Sequence, residues 1–473
     1  MEWSHYSEAL FEAYLHTDDN IIVQACPGAG KTTNIKHLWG LTDKKTLYLV
    51  FNKHNQLEAE SKLPVKASSA VKTLNGLGHS ILLNNYGSVT LDDRKVRGIV
   101  RGYMPMPRKY SKDVAEKQYT LIKAVQTAKM FATTTFTADA FAEMISLYDM
   151  DEYDGMLDDV VACLYISDSD TWTIDYNDQI RLPALTDLHM PVFDDVLGDE
   201  VQDFSPIQTL LVRKLQAQRY VLVGDRHQSI YGFRGAMNNS MEHLRQWFDA
   251  TALPLSITYR CPVSVVKEAY NIFPDIEAWS ESAQGIVRTG DISTERIDAD
   301  TLVLCRINRP LIALAYKLLS AGVPCHVWGR DIGQGLTSLI KKQQASNVSK
   351  LLDKLAFWYE FECVKAQRKE DEGKLQRLSD RYESVLLFCN KCKLTDSPDC
   401  VIQQIESLFE QGKGACLSTV HKAKGLEADK CVLLETDLFN TFKVRQKQAW
   451  QREQESNILY VAVTRAKREL VYA

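Results

Sequence analysis

The sequence predicts an α/β protein made of two parallel-sheet domains, each interrupted by a helical insertion. Three observations predict it. Short apolar runs of strand length recur along the 473-residue chain, each followed by a polar turn and a helix-length segment, the rhythm of parallel strands joined by crossover helices. Residues with chemical character stand directly after several of these runs, at the carboxyl ends where open α/β sheets gather ligands. Two long stretches, 84–175 and 340–412, break the rhythm with helical, strongly charged sequence.

In chain order, strands are expected at Ile21–Gln24, Thr46–Phe51, Val196–Gly198, Tyr220–Val223, Thr301–Cys305, Cys325–Trp328, Ala415–Ser418 and Cys431–Leu434. The first domain is therefore expected over 1–83 and 176–255, with 84–175 inserted. The second is expected over 256–339 and 413–473, with 340–412 inserted.

A formal net charge of −5 argues against a generally basic nucleic-acid coat protein. The average hides an asymmetry. Residues 94–130 hold ten Lys/Arg against only Asp113 and Glu116, whereas 131–180 hold twelve Asp/Glu and no Lys or Arg. Such blocks are either solvated helix faces or, for the basic one, a local patch for a phosphate backbone. No signal-peptide core and no run of about 18 apolar residues is present, so a cytoplasmic protein without a membrane partner is expected. Eleven scattered cysteines read as reduced thiols. Cys389-Asn-Lys-Cys392, with Cys363 before and Cys400 after, leaves a structural zinc site open against idle thiols.

Ala25-Cys-Pro-Gly28-Ala29-Gly30-Lys31-Thr32-Thr33 follows the apolar run Ile21–Val23. Strand, glycine-rich loop and helix start in that order cradle phosphates on backbone N–H groups, with Lys31 on the β/γ oxygens and Thr32 on Mg²⁺. Asp199-Glu200-Val-Gln202-Asp203 follows another apolar run. There Asp199 can share the Mg²⁺ and Glu200 can polarise an attacking water. Gln228 is an amide placed to sense a γ-phosphate, and Tyr231 and Phe233 can stack on bases or fill a core. Tyr259-Arg260 puts a planar guanidinium beside an aromatic. Arg465, expected on a helix near the end of the chain, is a candidate remote arginine for phosphoryl transfer.

These residues resemble the UvrD/PcrA/Rep branch of superfamily 1 DNA helicases, in a compact form. The segments that carry the resemblance keep the family's order: ACPGAGKT (Ala25–Thr32), LVFNK (Leu49–Lys53), Thr73-Leu-Asn-Gly76, IDYNDQI (Ile174–Ile180), DEVQD (Asp199–Asp203), GDRHQSIYGFRGA (Gly224–Ala236), TYRCP (Thr258–Pro262), STVHKAKGLEAD (Ser418–Asp429) and NILYVAVTRAK (Asn457–Lys467). The resemblance implies two RecA-like domains that hydrolyse ATP with Mg²⁺ and move on single-stranded DNA, 3′ to 5′, opening tailed duplex in replication, repair or recombination. It implies that Lys31 and Thr32 bind phosphate and magnesium, Asp199 binds magnesium and Glu200 is the general base. Gln228 and Arg234 would link the γ-phosphate to the DNA site, with Arg260 and Arg465 on the γ-phosphate, Tyr259 on adenine and Glu427 on the ribose. Phe51, Asn52, Thr73, Tyr231, Phe233, Thr419 and His421 would line the strand path. Single-strand-binding or replication and recombination proteins are candidate partners, in a bacterial cell or a phage-infected host, with a monomer expected and the oligomeric state left open by the sequence.

Three departures from the family stand out. Ser7 occupies the position expected for an adenine-reading glutamine, the insertion at 340–412 is short, and the chain ends soon after Arg465. The rival readings are an ATP-gated DNA-binding switch without unwinding and an ATPase subunit of a nuclease complex.

Overall fold

Strands buried at every position, such as Thr46–Val50 and Thr301–Cys305, leave no face for water, and in a parallel sheet both faces must be covered by helices. The computed structural model shows this arrangement twice. It describes residues 3–132, 136–148, 150–230, 240–368, 372–410, 412, 414–445 and 449–473. The chain divides into two compact units, Met1–Ser256 and Ile257–Ala473.

The first unit opens with α1 (His5–His16), β1 (Ile21–Ala25), α2 (Lys31–Leu41), β2 (Thr46–Val50), α3 (Lys53–Lys62), β3 (Ala70–Thr73) and α4 (Leu74–Tyr86). The inserted stretch follows, with β4 (Thr90–Leu91), α5 (Lys95–Tyr103), α6 (Lys112–Ala128), α7 (Ala138–Tyr148), α8 (Met156–Ser169) and β5 (Thr173–Ile174). The sheet resumes with α9 (Asp178–Leu185), β6 (Val192–Gly198), α10 (Pro206–Lys214), β7 (Gln216–Gly224), α11 (Ser240–Trp247) and β8 (Thr251–Leu255). Its strand order is β3-β2-β6-β7-β1-β8, parallel at every pairing. Because β6, β7 and β1 are consecutive neighbours, the chain leaves the sheet at Gly198, Gly224 and Ala25 on one edge. That adjacency builds the site.

Buried charge ties α1 to this sheet. Arg219 and Asp195 face each other across β7 and β6, and Tyr14 donates to Asp195 at 2.6 Å. Burial and that carboxylate push the Tyr14 hydroxyl up to about 12, so it remains a donor.

The inserted helices have their own apolar core, with Val100, Leu121, Val125, Met144 and Val160 at its centre. Its two ends are clasped by the parallel pair β4–β5. Two cations of the basic block do not face solvent. Lys95 Nζ lies 2.9 Å from Asp178, and Lys129 Nζ lies 2.6 Å from Asp175 and 2.7 Å from Asp178, all four side chains being buried. This corrects the reading of 94–130 as one continuous surface. Lys95 is carried inward because it precedes Val96 on the buried face of α5, and Lys129 ends α6 over the start of α9.

The second unit runs β9 (Ile257–Thr258), α12 (Val263–Ile272), β10 (Glu277–Ala278), β11 (Ile286–Thr289), β12 (Thr301–Cys305), α13 (Asn308–Ser320), β13 (Cys325–Trp328), α14 (Arg330–Gln343), α15 (Val348–Arg368), α16 (Glu372–Cys389), α17 (Asp399–Leu408), β14 (Ala415–Thr419), β15 (Ala428–Leu433), α18 (Asp437–Arg445), α19 (Ala449–Val463) and β16 (Ala466–Tyr472). Its main sheet is ordered β11-β16-β15-β12-β14-β13, again parallel throughout. The helical run expected from 340 begins at Arg330. It shares one core with the sheet: Leu339, Leu351, Val385 and Phe388 belong to the cluster that holds Val303, Val327 and Leu417. The fold is α/β, two parallel-sheet domains with helical insertions.

The expected strands form in both main sheets. The sequence reading passed over β3, β8 and β11, which are sheet edges, and β16, which lies beside an edge. Edge strands bury less and lose the unbroken apolar run by which central strands are recognised.

Candidate nucleotide and nucleic-acid site

In the first unit β1 delivers the chain into a loop where Gly28 and Gly30 both have φ +75°. That region is costly for a residue with a Cβ, and it lets Gly30 cap α2 without a side chain. Backbone N–H groups at a helix N-terminus are a ready anion site. Ala29 is buried beneath the loop, and Thr33 lies exposed on the first turn of α2.

Lys31 and Thr32 meet the acidic pair that ends β6. Thr32 Oγ1 donates to Asp199 Oδ2 at 2.9 Å, and Lys31 Nζ stands 3.5 Å from Glu200 Oε1. Tyr48 donates to the same Asp199 oxygen at 3.2 Å. Burial, then the neighbouring Glu200 carboxylate, push the Asp199 carboxyl up to about 6, against the pull of Lys31. A buried carboxylate beside a hydroxyl, short of positive charge, is a hard-oxygen donor set that suits Mg²⁺.

Glu200 has φ +55°, a left-handed backbone that costs about 1–3 kcal/mol in a non-glycine residue. Its carboxylate lies between Lys31 and Gln202, whose Nε2 donates to Oε2 at 2.5 Å. Gln202 Oε1 in turn accepts the Asp225 N–H at 2.9 Å, linking the ends of β6 and β7. Gln202 was not singled out in the sequence; its only signal was its place inside the acidic segment. A Cβ on Gly224 would sit 2.6 Å from Gln202 Oε1, so glycine is required for this link. Gln228 is buried, and its Nε2 donates to Asp225 Oδ2 at 2.6 Å. Tyr231, Phe233 and Arg234 lie outside the described residues.

The expected strand-path residues of this unit sit at strand ends. Phe51 is 43% exposed after β2. Asn52 and Thr73 use their side-chain oxygens as helix caps, accepting from Asn55 N and Gly76 N. Beside Thr73, Asn75 Nδ2 donates to the Tyr176 carbonyl at 2.7 Å, and the Tyr176 ring is 58% exposed. Tyr176 is a further candidate that sequence reasoning missed, since an aromatic in a polar loop does not reveal its exposure. Ser7 is buried, with its hydroxyl 3.2 Å from Ser4 Oγ in the α1 cap, so it is not presented as a base reader.

In the second unit the small β9–β10 ladder fixes Tyr259, 40% exposed, beside Trp279 with ring centroids 5.7 Å apart. Arg260 Nε donates to Glu427 at 2.6 Å, and Lys467 lies 3.7 Å from the same carboxylate. Burial raises the Glu427 carboxyl, but Arg260 and the neighbouring cations prevail and hold it below its usual range. Thr419 is buried at the end of β14. His421 is half-buried, and desolvation with nearby Arg306 and Lys422 pushes its imidazole down to about 3, so it is neutral.

Arg465 is not on a helix. It lies in the turn between α19 and β16 and is 1% exposed. Its Nε donates to Val461 O at 2.9 Å, a cation closing the carboxyl end of α19. The cysteine expectation also changes. Cys389 is buried in the core, and Cys392 is disulfide-bonded to Cys400 at the start of α17, 6.8 Å away by Cα. Cys389, the last residue of α16, belongs instead to the core cluster of the second unit.

The chain matches the UvrD/REP helicase N-terminal domain over 184–249 and the UvrD-like helicase C-terminal domain over 331–473. F-box DNA helicase protein 1 of Schizosaccharomyces pombe is 24% identical, over 98% of this chain and 56% of its own length. ATP-dependent DNA helicase PcrA of Bacillus subtilis is 24% identical, over 58% of this chain and 41% of that protein. Among solved structures, arterivirus nonstructural protein 10, a helicase in complex with DNA, aligns at a TM-score of 0.36 and 13% identity, covering 98% of this chain and 62% of that one. This chain thus spans about half the length of the first curated relative. In its two domain matches and these relatives, the chain is similar to the UvrD/PcrA-like helicases of superfamily 1. Among the described residues no helix is long and apolar enough to cross a membrane.

Proposed function

We propose that this protein is an ATP-dependent, single-stranded-DNA-stimulated helicase or translocase, moving 3′ to 5′. The observation that carries it is the convergence of Lys31, Thr32, Asp199 and Glu200 at the carboxyl ends of β1 and β6, which flank β7. The glycine loop binds the phosphates and Lys31 neutralises the transferred group. Glu200, oriented by Gln202, takes a proton from the attacking water. Asp199 and Thr32 would hold Mg²⁺, which supplies charge neutralisation for the phosphates. Phe51 and Tyr176 stack on the strand; within the second unit Tyr259 offers an exposed ring beside Arg260, whereas Arg465 is held by Val461 O. Gln228, reached through Asp225, couples the two ligands.

The deciding experiment is ATP hydrolysis with and without single strands, then displacement of a tailed duplex. Hydrolysis indifferent to DNA would sink the reading. Stimulated hydrolysis without displacement would mark an ATP-gated switch.

Two predictions follow from the site. Because Ser7 is turned to Ser4, no paired polar reader of adenine is evident at that position, and such sites discriminate weakly. GTP is expected to support DNA-stimulated hydrolysis, with kcat/KM well inside the ~10⁴ ratio of strict polar readout. A larger measured ratio would show that another group reads the base.

The second concerns α5 and the loop after it. With Lys95 and Lys129 buried, and Lys112 and Lys117 within 4 Å of Glu116 and Asp113, the exposed remainder includes Arg97, Arg101, Arg108 and Lys109 beside exposed Tyr103 and Tyr110. If this face lies on duplex phosphates, a combined Arg97→Ala, Arg101→Ala, Lys109→Ala variant should lower the log–log salt slope of tailed-duplex binding by about 2–3. Binding to a short single strand should change less. An unchanged slope would leave the face merely solvated.

A further inference from the structure

We propose that Cys392, Asp396 and Cys400 form a binding site for a soft divalent cation of the zinc class once the two cysteines are reduced. The proposal stands on the second unit alone and is independent of the nucleotide reading. A sulfur from each cysteine and a carboxylate oxygen of Asp396 all lie within 4.8 Å of one another. They converge because the connection from α16 to α17 folds back on itself: Cys392 N–H donates to Cys389 O, Asp396 N–H to Lys393 O, and Cys400 N–H to Ser397 O.

Two features exceed what a disulfide requires. The Asp396 carboxylate is held in place by the Lys393 N–H at 2.8 Å. Gln404 Nε2 donates to Cys392 Sγ at 3.1 Å, and its own oxygen accepts from Tyr316 at 3.2 Å. An anchored N–H donor on sulfur and a carboxylate fixed by backbone are the outer supports that orient ligands around thiolate–metal centres. Two thiolates and one carboxylate select zinc-like ions over hard cations, and three protein ligands leave a position for water. All three residues are half-buried, so an ion can enter. The loop is also tied to the start of α15, where Val348 N and Ser349 N donate to Asp396 O and Leu394 O, both at 2.9 Å. Occupation of the site would therefore fix the join of three helices.

In the structure Cys392 and Cys400 are joined. Two thiols of a small reductant supply two electrons and two protons. The Cys392–Cys400 bond breaks, two cysteine thiols form, and the reductant leaves as its own disulfide. The cation then displaces both thiol protons to solvent.

The test uses the whole chain, reduced, stripped of metal and titrated with Co²⁺, then Zn²⁺. A single equivalent of Co²⁺ should give a sulfur-to-cobalt charge-transfer band and tetrahedral visible absorption, both removed by Zn²⁺. Cys392→Ser and Cys400→Ser should each abolish the band. Gln404→Leu should weaken affinity by about 10–100-fold, and Asp396→Asn by at least as much. Cys363→Ser, outside the cluster, should leave it unchanged. A reduced chain that gives no such band, or a band that survives both Cys392→Ser and Cys400→Ser, would overturn the proposal.

Discussion

Glu200→Gln is expected to slow DNA-stimulated ATP hydrolysis by about 10²–10⁴-fold, the contribution of a positioned general base, while ATP and DNA still bind. The substitution keeps the shape of a side chain lodged between Lys31 and Gln202 and removes only its charge and basicity. Binding should survive for a second reason. Glu200 is the charge that, after burial, pushes the Asp199 carboxyl up, so its removal makes Asp199 easier to ionise and no worse as a magnesium ligand. Equilibrium binding of a fluorescent ATP analogue, set beside steady-state turnover, separates the two effects. Wild-type turnover in the variant would refute the assignment. Lost nucleotide binding with unchanged single-site turnover would reassign Glu200 to holding Lys31.

The largest stability effect is expected from Asp178→Ala. Asp178 is buried between two ammonium groups, Lys95 at 2.9 Å and Lys129 at 2.7 Å. Removing one member of a buried ionic cluster strands the others in a medium that solvates them poorly, at a cost of about 3–5 kcal/mol. Lys95 would keep the carbonyls of Ser167 and Asp170, and Lys129 would keep Asp175, which sets the lower end of that range. Asp178 begins α9, next to the Tyr176–Asn75 contact, so the same change should also loosen that contact. Urea unfolding of the whole chain measures the first effect. The control is Lys117→Met, which breaks an exposed pair with Asp113 and should cost under about 1 kcal/mol. Equal midpoints for the two variants would show that the buried cluster adds nothing.

Both predictions mark where sequence reasoning reached and where it stopped. The place of Glu200 was legible because it is local: an acidic pair directly after an apolar run, which the structure shows as the end of β6. Asp178 was legible only as one more acidic residue in a charged block. The pattern of 94–130 against 131–180 suggested opposed surfaces, yet Lys95 and Lys129 pair inward with Asp175 and Asp178 of the other block.

The sequence by itself determined the α/β class, the central strands and the glycine-rich loop after β1, because these depend on residues close together in the chain. A run of apolar residues must be covered, and glycines at φ +75° do not depend on distant partners for their freedom. The tertiary structure alone decided which charges are solvated, that Arg465 closes α19 in a buried turn, that Gln202 bridges β6 to β7, and that Cys392 meets Cys400 rather than Cys389. Each of these depends on the direction of a side chain, and that direction is set by packing against segments far away in sequence, of which periodicity and spacing carry no record.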